Sequence, residues 1–460
     1  MIRLPATVAV VLTAASIAFG QWSAPVNVSR VLYGRTWYQG IAVDSFGTVH
    51  ACWSHIVSNN FEWVEYSCKA ADADTFSTPV HVSRDSFPYR GTAIAIGPGH
   101  VPYVIWQSDY EPGHIYISRK MGDTWTIPVR LAAWNQSGRG LRAASDRFER
   151  IHVVWNDAGY VPIIWYASYD ATGWSAPETV ALGLDTFHIG WPSVAADWQG
   201  QAHVVYSVTL PYAVGAGYVY QTGQGWSTPS YLPTGSNYLA YEPRIAMDSQ
   251  DAPQAIWYES RHIYFSALRG DSWIRPERLD SGIDASTGPQ VCVDAWNQIH
   301  AVFGDRGYGF REALRWQDRW YQTLTISQVQ GAGEVAVRHS RIHVLWGSSE
   351  TAGDMWYSYR DLLPPSVAES NAEKPLCGSN CSVVPLAPST VIPFYLDRRE
   401  TVRVDFLDAA GRCIKHLDLG VLAPGQHSFR PYDLAPANAV SFCRIQAGRM
   451  ESITKLVRTD

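Results

Sequence analysis

Charged residues and methionine are scarce in this sequence, and that scarcity already excludes several classes of protein. Charged residues make up only 17% of the 460-residue chain, and the net charge is −6. Nucleic-acid binding depends on clustered lysine and arginine, so we expect no nucleic-acid partner. After the N-terminal segment no apolar run is long enough for a transmembrane helix, so we expect no membrane span in the mature chain.

Motifs of several common enzyme classes are also missing. The sequence contains no G-x-S-x-G, no P-loop and no dinucleotide-binding fingerprint. It has no C-x-x-C pair of the kind that binds zinc, and no acidic loop with the spacing of a calcium site. We therefore expect no cofactor and no metal.

The cysteines number seven, so at least one has no partner within the chain. An exported chain can form disulfides. The pairs that lie close enough, or in strands that could adjoin, are Cys377–Cys381, Cys52–Cys68 and Cys413–Cys443.

The N-terminus has the pattern of a secretory signal peptide. A basic residue precedes the apolar stretch 4–19, and Ala18 and Gly20 place small residues before a cut at Gln21. A single membrane anchor is the alternative, but the apolar run is short and lacks a basic flank after it. We predict that residues 1–20 are a cleaved signal peptide and that the chain is secreted or attached at the cell surface.

Aromatic residues are abundant, with 20 tryptophans and 25 tyrosines, and many recur at regular spacing. One repeated element reads aromatic-(S/T)-x-P, and its copies begin 47 to 54 residues apart. The copies lie at 22–25, 76–79, 125–128, 174–177 and 226–229, with looser ones at 273–276 and 320–323. Aromatic residues favour strands, and a repeat of this length is typical of a modular array.

A strand, a turn and a second strand precede each later copy of this element, as in IAVDSFGTVHACW at 41–53. Asp44, Asp197, Asp248 and Asp294 begin such turns, where a carboxylate accepts backbone hydrogen bonds. We therefore expect these acids to be structural rather than catalytic or metal-binding. A third strand follows each time, so that every repeat has four short strands.

Four short strands about every 50 residues are typical of a β-propeller blade. We predict an all-β protein in which residues 21–361 form a seven-bladed propeller and the N-terminal strand at 22–29 completes the last blade. Six blades are the alternative if one repeat is degenerate. The tryptophan of the repeated element occurs in every blade, so we expect it to pack between blades rather than to form a site.

Two sets of polar and aromatic residues should converge on one face of this propeller. The loops between second and third strands vary in sequence, and variable loops on a rigid scaffold often carry binding residues. These loops supply His55, Asp109, Asp157, Glu259, Arg261, Asp305, Arg306 and Glu350. The starts of the innermost strands supply Tyr38, Arg90, Arg139, Trp191, Tyr241 and Glu242.

A rim of aromatic, arginine and carboxylate side chains suits a carbohydrate or a peptide. Singly, each of these residues could be solvated surface, but as a set they favour a binding site. Aligning the repeats puts Arg90 and Arg139 at one blade position, and Tyr38, Trp191 and Glu242 at a neighbouring one. The predicted binding residues are Tyr38, Arg90, Arg139, Asp157, Trp191, Tyr241, Glu242, Glu259 and Asp305, and none is assigned as catalytic.

Residues 118–125, SRKMGDTW, match the Asp-box of sialidases at its serine, glycine and tryptophan, with Lys120 in place of the aspartate. The repeat thus resembles those of sialidase-like secreted bacterial propellers. Sialidases bind the substrate carboxylate through three arginines, so the resemblance implies that Arg90 and Arg139 are candidates for two of them. Sialidases have six blades, and the rest of their catalytic set has no assigned counterpart in this sequence.

The sequence changes character after the propeller. Residues 362–390 are rich in Pro, Ser, Ala and Asn and are predicted to be a linker, and residues 391–460 have the alternation of a small β-sandwich. FLDAAGRCIKHL (406–417) and LAPGQHSF (422–429) resemble the C-terminal sorting domains of type IX secretion and the Ig-like domain of flagellar hook-capping proteins. The resemblance implies outer-membrane passage, with the secretion machinery as partner.

We therefore predict an exported bacterial protein whose propeller loop face binds an extracellular glycan or protein. A sialidase-like glycoside hydrolase is the main alternative, and a structural surface component is a third. Binding is preferred because seven-fold repetition is common in binding modules and no complete catalytic set is visible.

Overall fold

The computed structural model describes the chain from residue 21 onwards, with gaps. The positions left out after that point are 32–33, 59–60, 85–88, 109–112, 135–139, 158–160, 184–187, 210–213, 235–239, 281–284, 306–308, 317, 321–323, 329–330, 339, 349–352, 363–381, 386–391, 397–398, 408–412, 424, 432–438, 448–449 and 459–460. The described residues form two compact units, Gln21–Asp361 and a second within Leu362–Asp460. In neither described part is there a helix long and apolar enough to span a membrane.

Seven antiparallel sheets make up the first unit, and each is one blade of a β-propeller, numbered here in chain order. The innermost strands are Arg35–Val43, Tyr89–Gly97, Arg142–Ser145, His188–Ala196, Tyr241–Met247, Ala285–Val293 and Gly331–Arg338. The second strands are Val49–Ser58, Val101–Ser108, Ile151–Asp157, Ala202–Thr209, Pro253–Glu259, Ile299–Asp305 and Arg341–Ser348. The third strands are Phe61–Lys69, Gly113–Met121, Ile163–Asp170, Val214–Thr222, His262–Arg269, Gly309–Trp316 and Met355–Asp361.

The outer edge of each blade is made of short strands that pair with the third strand. In chain order from blade 1 these are Val80–His81, Thr124–Trp125 with Val129–Trp134, Gly173–Trp174 with Glu178–Leu182, Gly225–Trp226 with Ser230–Tyr231, Ser272–Trp273 with Glu277–Arg278, and Arg319–Trp320 with Leu324–Ser327. The second strands are apolar runs that are almost entirely buried, as expected for strands covered on both faces by neighbouring blades.

Blade 7 is completed by the N-terminal strand Val26–Asn27, as predicted. Val26 lies opposite Tyr357, and Asn27 lies opposite Trp356, in an antiparallel pair. The innermost strand of each blade contacts that of the next, including blade 7 with blade 1, so the ring is closed. The predicted all-β, seven-bladed propeller is therefore confirmed.

The aromatic residue of the repeated element packs between blades, which confirms its predicted role. Trp125 of blade 2 meets Tyr66 of blade 1 edge to face, with ring centroids 4.8 Å apart. Trp226 and Tyr166 make the same contact between blades 4 and 3, at 5.2 Å. Such aromatic pairs contribute about 0.5–1.5 kcal/mol beyond the burial of their surface.

The turns between first and second strands begin with a capping aspartate, as predicted. Asp44 Oδ1 accepts backbone hydrogen bonds from the residues two and four positions later, at 2.9 and 2.8 Å. Asp248 and Asp294 cap their turns through the same two backbone positions, and Asp197 accepts from the residue four positions later. The Oδ1 atom of each of these acids therefore already accepts hydrogen bonds from the backbone of its turn.

In blades 1, 3, 4 and 6 the second carboxylate oxygen of the turn aspartate contacts a histidine that the sequence analysis did not single out. In blade 4, His203 Nε2 lies 3.3 Å from Asp197 Oδ2, and its Nδ1 lies 2.7 Å from the Tyr218 hydroxyl. Blades 1 and 3 repeat this Asp–His–Tyr arrangement. In blade 6, Glu312 takes the place of the tyrosine and lies 2.7 Å from His300.

The predicted pairing of Cys52 with Cys68 is wrong. The strand register places Cys52 opposite Tyr66, two residues before Cys68, and both cysteines are free. The pair Cys377–Cys381 lies outside the described residues.

The second unit contains a five-stranded and a two-stranded sheet. In spatial order, the strands of the larger sheet are Ser382–Pro385, Met450–Arg458, Ala439–Ala447, Glu400–Leu407 and Cys413–Leu422, and the smaller sheet pairs Ile392–Leu396 with Gly425–Phe429. Val402, Val404, Phe406 and Ile445 are buried in a core of their own. Ser382–Pro385 shows that the range predicted as linker contains a strand.

The second predicted cysteine pair in described residues is also wrong. Cys413 and Cys443 lie in strands on opposite sides of Glu400–Leu407, and both are free.

Candidate binding site at the channel mouth

The innermost strands of blades 1, 4 and 5 bulge where the repeats align Tyr38, Trp191 and Glu242. The ladder register shifts across each of these residues, and their φ angles are 51°, 45° and 48°. Non-glycine residues in this left-handed region cost about 1–3 kcal/mol each. Blade 6 places Gly288, with φ 58°, at the same position. Bulges redirect side chains and are common beside functional sites.

Four aromatic residues, which we call the mouth aromatics, lie at or beside these bulges: Trp37, Tyr38, Trp191 and Tyr241. Trp191 and Tyr241, from adjacent blades, meet edge to face with ring centroids 5.8 Å apart. Trp37 is 49% exposed and Tyr241 is 37% exposed. The bulges therefore present large, partly exposed aromatic side chains that could contact a ligand.

The predicted carboxylates of the second-strand ends are more enclosed. Asp157 is half-buried, whereas Glu259 is fully buried and accepts a hydrogen bond of 2.8 Å from Trp257 Nε1. Asp305 is buried too, and Arg311 donates to its Oδ2 at 3.2 Å. Within the described part of the predicted set, Trp191 and Tyr241 touch across blades, whereas Glu259 and Asp305 have partners in their own blades.

Asp305 has the more unusual environment of the two buried acids. Its Oδ1 is buried and has no hydrogen-bond partner in the described part of the chain. Burial raises the pKa of Asp305, the contact with Arg311 opposes that rise, and the charge of nearby Asp280 adds to it. A carboxyl group with a raised pKa can hold a proton closer to neutral pH than an exposed one.

The remaining predicted residues fall wholly or partly outside the described set. Arg90 lies in the innermost strand of blade 2, but the description excludes its side chain. The residues that are not described are Asp109, Arg139, Arg306 and Glu350. Of the other loop residues, His55 Nδ1 lies 3.0 Å from Glu65 Oε1, and Arg261 has a φ of 73°.

Two positions further along each innermost strand lies a ring of residues that the sequence analysis did not select. This channel ring comprises Gly40, Ala93, Arg142, Ser193, Arg244, Gln290 and Glu334. Arg142 Nη2 lies 3.3 Å from Glu334 Oε1, which also accepts from Gln290 Nε2 at 3.1 Å. The alignment could have revealed this ring, because charged residues replace small ones at a repeated inner position.

A separate cleft of 370 Å³ lies between the closing strand and blade 1. Its lining residues are Ser29, Arg30, Val31, His55, Val57, Glu65, Thr78 and Pro79. The Glu65 carboxylate is held there by Trp53 Nε1 at 2.9 Å and by His55. Across the described residues, no group of three or more His, Cys, Asp or Glu side chains could hold a metal ion.

Comparison with known proteins identifies similar folds. No family model and no curated protein matches the sequence. A fungal alcohol oxidase of the AA5 family, solved with copper, is 10% identical with a TM-score of 0.54 over 96% of this chain and 100% of that one. A PL25 polysaccharide lyase, an ulvan lyase, is 9% identical with a TM-score of 0.52 over 76% and 96%. A Hadza microbial sialidase is 9% identical, with a TM-score of 0.43 over 71% and 66%.

These identities are low, so the similarity concerns architecture. The chain shares its propeller fold with solved proteins that include a polysaccharide lyase.

Proposed function

We propose that this chain is an exported binding protein whose propeller recognises a glycan, or a protein, at the channel mouth. The observation that carries the proposal is the exposure of the mouth aromatics on strained bulges. A protein that needed only to fold could place glycine at this position, as blade 6 does with Gly288. Retaining Tyr38, Trp191 and Glu242 there costs stability, which favours a role in function.

The chemistry of the mouth suits a sugar. The flat faces of Trp37 and Tyr241 can pack against the CH groups of a pyranose ring, and the Glu242 carboxylate can accept hydrogen bonds from its hydroxyls. The likeness in fold to a polysaccharide lyase is consistent with a carbohydrate ligand.

A glycan array probed with the purified chain tests this proposal, read for both bound protein and released sugar. The double variant Trp191→Ala/Tyr241→Ala should lose binding by about tenfold or more, because central aromatic contacts dominate binding energy. Trp198→Ala is the matched control, since this tryptophan is 52% exposed at a turn between first and second strands, on the other face. Equal binding by the double variant and the control would refute the proposal, and a silent array would restrict it to a protein ligand.

Glycoside hydrolysis is the second candidate function, and the environment of Asp305 favours it. A buried carboxyl with a raised pKa can protonate a leaving-group oxygen, and glycosidases pair such an acid with a second carboxylate. Release of a terminal sugar by the wild-type chain, abolished in Asp305→Asn, would support hydrolysis. Glu242→Gln, Asp157→Asn and Glu259→Gln would then test which acid is the partner. Binding without release would leave recognition as the function.

The proposal extends to export and to the tail. The signal-peptide pattern of residues 1–20 and the sorting-domain resemblance of residues 391–460 support secretion, with the tail addressing the secretion machinery. The compact second unit, with a core built around Val402 and Phe406, gives such a signal a folded carrier. Deleting residues 377–460 should abolish surface delivery in the native host, measured by fractionation, and unchanged delivery would refute this role.

A further inference from the structure

The channel ring contains an arrangement of charge that the proposed ligand site does not explain. Arg142 belongs to blade 3 and Glu334 to blade 7, and these blades are not neighbours in the ring. Their contact of 3.3 Å therefore crosses the central channel. Gln290 of blade 6 also donates to Glu334, so one carboxylate oxygen serves two donors from different blades.

Arg244 adds a second cation to the same ring. The residue is 5% exposed, and within the described part of the chain its Nη1 donates to the carbonyl of Pro243 at 3.1 Å. Its Nε is buried and has no partner in that part of the chain. A buried charge without a partner is costly, and guanidinium cannot escape that cost by losing its proton near neutral pH.

The two arginines act on one another through space. Burial and repulsion from Arg142 together lower the pKa of Arg244 to about 10, although the charges of Glu242 and Glu334 act in the opposite direction. The Nε of Arg142 is likewise buried and unpartnered within the described residues. The ring therefore presents two guanidinium groups with spare donors and a single carboxylate, which Arg142 already shares with Gln290.

We propose that the channel ring binds one small oxyanion, a carboxylate, phosphate or sulfate group, between Arg142 and Arg244. Guanidinium donors match the geometry of oxyanions, and both side chains belong to the same ring of the channel. Arg142 and Glu334 keep side-chain exposures of 26% and 18%, so solvent reaches the ring. The anion can arrive as a free ion or as the acid group of a sugar.

Thermal unfolding of the full chain tests this inference, with sodium acetate, phosphate, sulfate and glucuronate titrated at constant ionic strength against chloride. A bound anion should raise the Tm by about 2–4 °C along a saturating curve. Phosphate and sulfate also stabilise proteins non-specifically, so each shift is compared with that of a variant. Arg142→Gln and Arg244→Gln should lose the saturating shift, while the turn-face control Arg147→Gln should retain it.

The four salts separate the two sources of the acid group. Saturating shifts with acetate, phosphate or sulfate would identify a free ion, and glucuronate acting at about a tenfold lower concentration than acetate would identify an acidic sugar. Either result supports the site. Equal shifts in the wild type and in both arginine variants would overturn it.

Glu334→Gln gives a test of opposite sign, which holds even if an arginine variant fails to fold. Glutamine retains the shape of the side chain but removes the negative charge that competes with the anion. The anion should then bind about tenfold more tightly, as expected for removing a like charge a few ångströms away. Unchanged or weaker binding in this variant would contradict the proposal. Because the mouth aromatics are intact in these variants, their glycan binding reports separately on the proposed function.

Discussion

The two ends of the innermost strands follow different rules. At the turn end, blades 1, 3 and 4 use the same capping aspartate, histidine and tyrosine hydroxyl. Blade 6 replaces the tyrosine with Glu312, and blade 5 has Gln254 and Phe265 in place of the histidine and the tyrosine. At the mouth end, the bulge position holds a tyrosine, a tryptophan, a glutamate or a glycine. The turn end stabilises blades 1, 3 and 4 by one shared set of hydrogen bonds, whereas the mouth end departs from the repeat at a cost in stability. Variation inside a repeat therefore indicates function more clearly than residue type does.

The largest expected effect is at the turn end. The side chain of Asp146 is fully buried. Its carboxylate accepts from two backbone N–H groups and from Arg150 Nε, and it contacts His152. Burial alone would raise its pKa, but the hydrogen bonds from His152 and Arg150 hold that pKa below the usual range. Asp146→Ala should lower the free energy of unfolding by about 3 kcal/mol, because several buried donors lose their acceptor.

Urea unfolding measures this loss, and binding of the folded variant at the mouth should be unchanged. Asp170→Ala is the control, because Asp170 accepts the same kind of turn hydrogen bond from Thr172 on an exposed hairpin. A loss no larger than that of the control would show that the two ends do not differ in stability.

The second effect is a difference in pH dependence between the turn-end histidines of two blades, His300 of blade 6 and His203 of blade 4. Hydrogen bonds to Asp294 and Glu312 raise the pKa of His300 despite its burial, whereas burial lowers the pKa of His203. Protonated His300 therefore stabilises the fold below the unfolded pKa of about 6.5, and this is lost as pH rises through the higher folded pKa. The contribution of His203 is present above about 6.5 and is lost as pH falls through its folded pKa.

Glutamine variants test that contrast, because blade 5 already has Gln254, whose Nε2 donates to Asp248 at 2.9 Å. The cost of His300→Gln should shrink towards alkaline pH, and the cost of His203→Gln should shrink towards acid pH. Each changes by about 1.4 kcal/mol per unit by which the folded pKa differs from the unfolded one. Slopes of the same sign, measured by denaturant unfolding between acid and alkaline pH, would contradict the assignment.

The third effect is a gain of stability at the mouth end. The free energy of unfolding of Glu242→Gly, measured with urea, should exceed that of Glu242→Ala by about 1 kcal/mol. The reason is that only glycine adopts a φ of 48° without strain. Gly288→Ala in blade 6 should show the reverse, since its new Cβ would lie 3.0 Å from that of Ala332. If alanine and glycine were equally stable at residue 242, the bulge would not be a strained position.

The smallest effect concerns an exposed contact on the turn face. The Arg147 guanidinium lies 4.1 Å from the ring centre of Trp198 and 4.8 Å from that of Phe148. Arg147→Gln should cost about 0.5 kcal/mol, as exposed cation–π contacts do. Calorimetry of this variant gives the background against which the mouth variants are judged, and a cost of several kcal/mol would make it unsuitable as a control.

The sequence predicted the propeller because each repeat displays its own strands and turns, and seven copies agree. It predicted the turn aspartates from local hydrogen-bond chemistry, but their contacts with His203 and its equivalents depend on a partner in the second strand. That contact was readable in principle, since the histidine follows the aspartate by six residues in blades 1, 3, 4 and 6.

The site was harder to predict because its features depend on register and charge across blades. Alignment placed Tyr38, Trp191 and Glu242 together, but not the left-handed backbone that holds them. The sequence predicts Glu259 and Asp305 as loop acids, yet both residues are buried in their own blades. The Cys52–Cys68 prediction failed for a similar reason. The strand register places Cys52 opposite Tyr66 and Cys68 opposite His50, so the two cysteines are not paired across the hairpin.

The closing strand also sets an order of events. Val26 pairs with Tyr357, so the N-terminal strand Val26–Asn27 has no partner until nearly the whole propeller sequence is present. Such a long-range pairing is slow to form, and an unpaired edge is a template for association with other chains. A chain interrupted anywhere before residue 357 cannot close its ring. Only a chain that extends through residue 357 can therefore form a closed propeller without an unpaired edge.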